Sequence, residues 1–445
     1  MFWKVLGLSS FTVLPLLIGT SALAQSGAAV PAPAEPAPST PSTYQLSGTG
    51  IAPSGELNAT TVTGTSTPSL GILTAPVNAS ATAYRTESGV FLYPTLLVGY
   101  GYDDNLTRTN TGQISSSFVR LVPELMAELK NKGDRYTAKV NFAATRYMDS
   151  ENDNATTALL ELAGDNYFSS RAQAGWVLAR VDGVDPRGFT QRTVSAEPDK
   201  WHSNNLNGRF AYGAQEASGR FEFDLGTQAK TYDNNRDVTT VADVTLNSMA
   251  GRFFYRVGPR TKAVVEYRNA KANYVSDQST DDNTEQRYYA GLTWEATAAT
   301  TGTVKVGRMT KEFDLASKQG YGGSSWEAGV RWSPKTYSIV DLQTTRSTAD
   351  STGVGDYTLN TSTSLGWSHK WNQSLGTRVL VSVLGTDFVG SGRVDNALGL
   401  GFMVEYNMLR WLKIGLDFGR TDNSSNDPTQ SYKRNVTGLT LNATL

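Results

Sequence analysis

Histidine is the side chain best suited to proton transfer near neutral pH, and this 445-residue chain has two of them. One lies in the segment Trp201-His202-Ser203-Asn204, where a serine hydroxyl follows it directly. A serine nucleophile needs a base within hydrogen-bonding reach, but adjacent residues of a β-strand point to opposite faces. If this segment is a strand, His202 and Ser203 cannot form a nucleophile–base pair. His369 is expected far away, near the opposite end of its own strand, so we predict no catalytic residue and no enzyme.

The composition removes several further classes of chemistry. The chain contains no cysteine, which excludes disulfides, thiol nucleophiles, cysteine-ligated zinc and iron–sulfur clusters. Two histidines are too few for a histidine-rich metal site, and the carboxylates are scattered without a specific pairing. We therefore predict neither a cofactor nor a metal. The 40 basic residues nearly balance the 41 acidic ones, so no basic stripe for nucleic acid is expected.

The first 88 residues differ in composition from the rest of the chain. Lys4, an apolar run over 5–18 and the small-x-small sequence Ala22-Leu23-Ala24 predict a secretory signal peptide over residues 1–24. The apolar run is too short and too interrupted to span a membrane as a helix. Residues 25–88 are rich in Pro, Ala, Ser and Thr, which predicts a disordered periplasmic segment acting as a linker.

From residue 89 to residue 445, apolar and polar residues alternate repeatedly, most clearly over 221–226 and 412–419. A period of two predicts β-strands with one apolar and one polar face. The alternating runs number about 18, and short turns such as 131–134 alternate with longer polar connections. This layout predicts an all-β fold, a transmembrane antiparallel β-barrel of about 18 strands in the outer membrane of a Gram-negative cell. Both ends of the barrel would then lie on the periplasmic side.

A soluble all-β protein, such as a propeller or tandem sandwiches, is the alternative fold. No fixed period of the kind that propeller blades produce is present. The last residues, 439–445, alternate in a way that resembles the C-terminal targeting signal of outer-membrane barrels, with Leu in place of the usual terminal Phe. Aromatic residues near the predicted strand ends are typical of interfacial girdles, and the clearest are Tyr100, Tyr102, Trp326, Trp332 and Trp411.

If the apolar face of each strand meets lipid, the alternate residues line the lumen. Such a wall would be charged but balanced and would hold water. The basic candidates are Arg120, Lys139, Arg171, Arg209, Lys230, Lys262, Arg268, Arg287, Arg331, Arg378 and Lys413. The acidic candidates are Glu124, Glu128, Glu161, Glu222, Asp224, Glu266, Glu295, Glu327, Asp341, Glu405 and Asp417.

Two features of the predicted barrel leave its interior open to interpretation. The alternation slips over 245–255 and over 304–313, and we predict β-bulges in both windows. The longest connection runs from Asp182 to Lys200 and carries charges of both signs. It either folds inward as a constriction or covers the outer rim, and the sequence favours neither arrangement.

The segment that ends the first predicted strand carries a family resemblance. It reads Gly99-Tyr100-Gly101-Tyr102-Asp103-Asp104-Asn105, and a Tyr-Asp-x-Asn segment at this place, behind a signal peptide and a low-complexity lead, resembles the putative β-barrel porin family two. The resemblance implies an outer-membrane protein associated with exopolysaccharide or capsule export. It also implies a place beside periplasmic polysaccharide export and co-polymerase proteins. It transfers no catalytic residue to this chain.

Three functions follow as hypotheses. The first is an outer-membrane channel that exports a secreted exopolysaccharide or capsule chain, because a balanced, hydrated wall offers weak, repeated contacts to a sugar polymer. The second is a general diffusion porin for small solutes, for which a constriction loop would be a sign. The third is an outer-membrane lipid hydrolase, which would need a His and a Ser on one strand face. The expected partners are therefore polysaccharide and outer-membrane lipid.

Overall fold

The computed structural model describes residues 83–190, 195–214, 216–297, 299–351 and 353–444. The predictions for the signal peptide and for most of the linker lie outside these residues. The strands are β1 (Tyr84–Arg85), β2 (Phe91–Asp103), β3 (Ser116–Asn131), β4 (Asp134–Tyr147), β5 (Ala155–Tyr167), β6 (Ala172–Asp185), β7 (Asp199–Tyr212), β8 (Gly219–Tyr232), β9 (Val244–Gly258), β10 (Thr261–Tyr274), β11 (Asn283–Thr297), β12 (Thr300–Phe313), β13 (Tyr321–Lys335), β14 (Ser338–Asp350), β15 (Tyr357–Lys370), β16 (Leu375–Val389), β17 (Arg393–Leu409), β18 (Leu412–Ser425) and β19 (Tyr432–Thr444).

Strands β2 to β19 form one closed antiparallel barrel of 18 strands, which confirms the predicted fold. Each strand pairs with its sequence neighbours, and β19 returns to β2 in a register from Val436↔Asp103 to Thr444↔Thr95. Closure leaves no strand edge with unpaired backbone groups, which is what a sheet needs in order to cross lipid. The short strand β1 pairs with the start of β2, so the end of the predicted linker is ordered against the barrel.

The helical parts of the described chain are short. One turn of α-helix, α1, covers Arg236–Thr239, and 3₁₀ turns cover Glu151–Asp153, Thr240–Ala242 and Pro428–Gln430. None of the helices in the described ranges has the length and apolar character to cross a membrane.

The two faces of the strands differ as their alternation predicts. On β18, Leu416 is 57% exposed and Phe418 is 40% exposed, whereas Asp417 between them is buried. When every second residue of a strand exposes a large apolar side chain, that face needs apolar surroundings. The hydrocarbon of a bilayer supplies them. The outer face of the barrel is therefore the lipid-facing surface.

The connections separate the barrel into two ends. Short turns join β3 to β4, β9 to β10 and β13 to β14, whereas the connections from β2 to β3, from β6 to β7 and from β8 to β9 are longer. In the β3–β4 turn, Lys132 and Gly133 both have positive φ, 51° and 100°, which is the type I′ geometry that matches the twist of a hairpin. The first and last barrel strands, β2 and β19, begin and end at the short-turn end.

The predicted bulges over 245–255 and 304–313 are wrong. The β8–β9 and β12–β13 ladders run through these windows without a register shift, and the shifts next to them lie at the turns beside Thr261 and Thr297. The alternation slips for another reason. At the long-loop end of β12 the outward residues Arg308 and Glu312 are polar, while the inward Met309 and Phe313 pack against another part of the chain.

Candidate functional site

The inner face of the barrel is identified by side chains from non-adjacent strands that meet each other. Arg268 on β10 and Glu327 on β13 are three strands apart, yet their Nη1 and Oε1 atoms are 2.5 Å from each other. Tyr274 on β10 reaches Asp350 on β14, with its hydroxyl 2.8 Å from Oδ2. Such contacts are possible only across the inside of a curved wall. The polar face of the strands therefore forms the interior.

A continuous set of ion pairs covers the inner face from β7 to β13, and we call it the ion-pair belt. Asp224 forms ion pairs with Arg209 at 2.5 Å and with Arg252 at 2.6 Å. Glu266 is bound by three cations, with N–O distances of 2.6 to 2.7 Å. Lys305 continues the belt to Glu327 at 2.8 Å. Its five cations and four anions are Arg209, Arg220, Arg252, Arg268, Lys305, Glu222, Asp224, Glu266 and Glu327.

Burial makes the belt a rigid part of the wall. The side chain of Glu266 is 0% exposed and that of Arg268 is 4% exposed. A buried charge is stable only when its partners replace its lost hydration, and removing one partner of such a pair costs about 3–5 kcal/mol. Each charge of the belt therefore has an opposite charge within 3.5 Å, so the charges of the belt satisfy one another.

The structure places most of the other predicted lumen residues on the inner face. Nine have a charged partner no more than two strands away, and they are Glu124, Glu128, Lys139, Lys230, Arg287, Arg331, Asp341, Glu405 and Lys413. Glu161 lies opposite Lys139 in the ladder, Arg378 donates to Ser368, and Arg120, Lys262 and Asp417 share the inward parity of their strands.

Two predicted residues do not lie on the wall. Arg171 is in the turn before β6 and is exposed, because β6 begins one residue later. Glu295 is exposed beyond the regular ladder, at the register shift next to Thr297. Arg171 lies before the start of its strand and Glu295 lies at a register shift, and in both places alternation no longer determines the face.

Sequence reasoning missed several inward charges. Arg252 and Lys305 lie inside the two windows in which the alternation slips, so their faces could not be assigned from the sequence. Asp185, Glu285 and Asp350 lie near strand ends at the long-loop end, where no periodic signal distinguishes a wall residue from a loop residue.

The interior at the long-loop end is narrowed by the β14–β15 hairpin. The β13–β14 ladder stops at Trp326↔Arg346, whereas the β14–β15 ladder continues to Asp350↔Tyr357. The tip of this hairpin, residues 347–359 without residue 352, therefore leaves the wall. We call it the hairpin tip.

Polar contacts hold the hairpin tip against the inner wall. Asp350 accepts from Lys311 Nζ at 2.5 Å, from Asn283 Nδ2 at 3.0 Å and from the Tyr274 hydroxyl at 2.8 Å. The Thr348 hydroxyl donates to Glu285. These partners come from β10, β11 and β12, so the tip lies across the inner surface of three strands.

Apolar contacts complete the same docking. Met309 of β12 is fully buried beneath Tyr357 and Leu359 of the hairpin tip. Phe313 and Tyr321 pack around this cluster, and the Phe313 and Tyr357 rings are 6.2 Å apart. Tyr357 and Leu359 share the outward parity of Leu365, so they would face lipid if the hairpin remained in the wall. The inward fold of the tip buries them instead.

The connection between β6 and β7 also folds inward, which resolves the two arrangements left open above. Phe189 is buried and shares a cavity with Leu384, Ala397 and Tyr432, which lie on β16, β17 and β19 on the opposite side of the barrel. The Arg108 guanidinium lies 5.5 Å from the Phe189 ring. The described part of this connection therefore crosses the interior.

Two contacts fix the start of this connection. Arg187 donates through Nε to Asp153 Oδ1 at 2.9 Å, and that hydrogen bond raises the pKa of the Arg187 guanidinium. Gly188 has a φ of 72°, and a Cβ atom there would strike the Thr107 carbonyl oxygen. Only glycine allows this close approach of the two connections.

The motif Tyr102 to Asn105 closes the seam between the first and last barrel strands. Arg434 of β19 donates to the buried Asp103, and the Asn435 backbone N–H donates to Asp104 Oδ1 at 2.6 Å. Asn105 is fully buried and donates to the Lys433 carbonyl at 2.9 Å. The motif therefore extends the pairing of β2 with β19 beyond the end of its ladder.

The candidate catalytic pair is separated as predicted. His202 lies on the outer face, with Nδ1 2.7 Å from Asp233 Oδ1, whereas Ser203 is fully buried on the inner face. His369 lies at the short-turn end of β15 among aromatic rings, 5.4 Å from Tyr337 and 4.4 Å from Trp371.

Comparison with known proteins agrees with this architecture. Residues 86–445 match the family described as Putative beta-barrel porin 2. The chain belongs to this family. It is an outer-membrane β-barrel porin, as the resemblance of the first strand predicted. No curated protein matches the chain.

Solved structures that resemble the chain share little sequence with it. A BenF-like porin from Pseudomonas fluorescens Pf-5 is 10% identical with a TM-score of 0.48, over 80% of this chain and 99% of that chain. OccK9 (OpdG) of Pseudomonas aeruginosa is 12% identical with a TM-score of 0.47, over 81% and 100%. A bacterial polysaccharide outer membrane secretin is 10% identical with a TM-score of 0.37, over 79% and 98%.

Proposed function

We propose that this porin is the outer-membrane exit for a secreted polysaccharide. The observation that carries the proposal is the mutual neutralisation of the inward charges in the ion-pair belt. A wall whose charges are already bound to one another offers no deep electrostatic well. A hydrated sugar chain can then exchange its water contacts for weak protein contacts and continue to slide.

The same proposal assigns the two ends of the barrel. The short-turn end, where β2 begins and β19 ends, faces the periplasm and the periplasmic polysaccharide export and co-polymerase proteins implied by the family resemblance. The long-loop end faces the outside. Because the hairpin tip and the β6–β7 connection narrow that end, passage of a polymer requires one or both to move aside.

A general diffusion porin for small solutes is the second candidate, and a specific observation favours it. The inward fold of the β6–β7 connection, with Phe189 buried near the opposite wall, is the constriction expected of such a porin. A narrow mouth admits small solutes without any rearrangement, whereas a polymer needs one.

Deletion of the gene distinguishes the two functions. Export predicts that the deletion strain loses most of its surface polysaccharide and takes up small solutes at the normal rate. Normal surface polysaccharide together with slower uptake of a small solute would contradict export and support the diffusion porin. Restoration by the wild-type gene is the control for effects on neighbouring genes.

A further inference from the structure

The inner face of β14, β15 and β16 differs from the ion-pair belt because it carries uncharged polar side chains. The ladders align them in three cross-strand rows, Gln343↔Ser364↔Ser382, Thr345↔Ser362 and Ser347↔Asn360↔Thr386, and the buried Leu384 completes the middle row on β16. We call the set the hydroxyl strip, and its members are Gln343, Thr345, Ser347, Asn360, Ser362, Ser364, Ser382 and Thr386.

The strip faces the interior. The residues next to it along each strand, Leu342, Leu365 and Val383, are large, apolar and exposed on the lipid-facing surface. Because successive residues of a strand point to opposite faces, the strip lies on the inner face. Asp341, two residues before Gln343, pairs with the inward Arg331, which agrees with this assignment.

Most of the strip has hydrogen-bonding capacity to spare. Within the described part of the chain, the side chains of Gln343, Thr345, Ser362 and Ser364 make no hydrogen bond. Ser382 is 6% exposed, and its Oγ has no hydrogen-bond partner among the described residues. A buried hydroxyl without a partner is uncommon in folded proteins.

The belt and the strip therefore offer a ligand different chemistry. The carboxylates and guanidinium groups of the belt bind one another. Each hydroxyl of the strip can both donate and accept, and the strip carries no charge. Rows two residues apart lie roughly 7 Å from each other along a strand. Polar groups therefore recur along the path, and Leu384 is the apolar member of the middle row.

From these observations we infer that the hydroxyl strip is the contact surface for a neutral carbohydrate chain. The inference rests on the proposed function and names the surface that carries it out. A neutral sugar presents hydroxyls that donate and accept like those of the strip, whereas an anionic chain finds no free cation there. The row Ser347↔Asn360↔Thr386 includes Ser347 at the base of the hairpin tip, so a chain that follows the strip arrives at the narrowed mouth.

Binding of sugar oligomers to the purified full-length protein in detergent tests the inference. The probes are maltoheptaose, a neutral oligosaccharide, and an oligogalacturonate of equal length, which is anionic. Calorimetric titration should show binding of maltoheptaose, and S364V/S382V should weaken it about tenfold, since two hydroxyl contacts are lost. S364V alone should weaken it less, and S364T, which keeps the hydroxyl, should bind like wild type.

The matched control is T363V, because Thr363 is adjacent in sequence but exposed on the outer face. It should leave binding unchanged, and a heat-modifiable gel shift shows that each variant has assembled. The inference is overturned if wild type does not bind maltoheptaose, if S364V/S382V binds it like wild type, or if oligogalacturonate binds more tightly.

These outcomes separate the inference from the proposed function. If the deletion strain keeps its surface polysaccharide while S364V/S382V still loses maltoheptaose binding, the strip is a sugar site and export is wrong. If the deletion strain loses its polysaccharide while S364V/S382V binds normally, export stands and the strip is not the contact surface.

Discussion

Replacing Asp350 by alanine should release the hairpin tip from the inner wall. Asp350 is the shared acceptor of Lys311, Asn283 and Tyr274, and the side chain of Lys311 is 4% exposed. Without the carboxylate, the Lys311 ammonium is buried without its counter-ion, which costs about 3–5 kcal/mol. When the tip leaves the wall, water can hydrate the Lys311 ammonium. The hydrogen bonds between the barrel strands are unaffected.

The size of the effect follows from that energy. Each 1.36 kcal/mol changes an equilibrium tenfold, so the ratio of docked to undocked tip should fall by a factor of about 10² to 10⁴. The apolar cluster of Met309, Tyr357 and Leu359 opposes release and keeps the hairpin close to the wall. The variant should therefore assemble normally and differ from wild type at the outer mouth.

The absence of cysteine from the chain makes the assay direct. Thr358 is fully buried in the hairpin tip, so T358C should react slowly with a water-soluble maleimide in the otherwise wild-type protein. In the D350A background it should react much faster, and single-channel conductance should rise. D341A is the matched control, because Asp341 lies on the same hairpin below the tip and pairs with Arg331 of β13.

Either of two results would refute this reasoning. Equal maleimide reactivity of T358C with and without D350A would show that Asp350 does not hold the tip. Equal acceleration by D341A would show that loss of any ion pair on the hairpin loosens it, so that the docking contacts have no special role.

Three further predictions concern the seam, the lipid face and the belt. D103A should destabilise the folded barrel by roughly 3–5 kcal/mol, since the Asp103 contacts close β2 on β19. The temperature at which the barrel unfolds on semi-native gels should therefore fall, whereas D387A, at an exposed site, should leave it unchanged. L416R should cost roughly 2–4 kcal/mol and block assembly, while D417N should assemble normally; equal yields would contradict the face assignment. E266Q should shift the reversal potential in planar bilayers toward anion selectivity, because the three cations around residue 266 then lose a negative charge. An unchanged reversal potential would place the belt outside the conducting path.

Most of the barrel could be predicted from the sequence because its determinants are local. The alternation over 412–419 specifies which residues of β18 meet lipid, since a strand has a period of two and a bilayer accepts only one of the two faces. The turn at Lys132 and Gly133 and the polar long connections are equally local. The position of His202 and Ser203 on opposite faces follows from adjacency alone.

The interior was decided by the tertiary structure. Arg268 meets Glu327 three strands away because the wall curves, and no spacing in the sequence records that curvature. The inward fold of the hairpin tip depends on Asp350 finding three partners from three other strands. Phe189 likewise reaches residues that lie across the barrel. A period of two assigns a side chain to one face of the sheet. Its partner on that face depends on closure of the barrel, because distant strands come together only when the ladder of strands is complete.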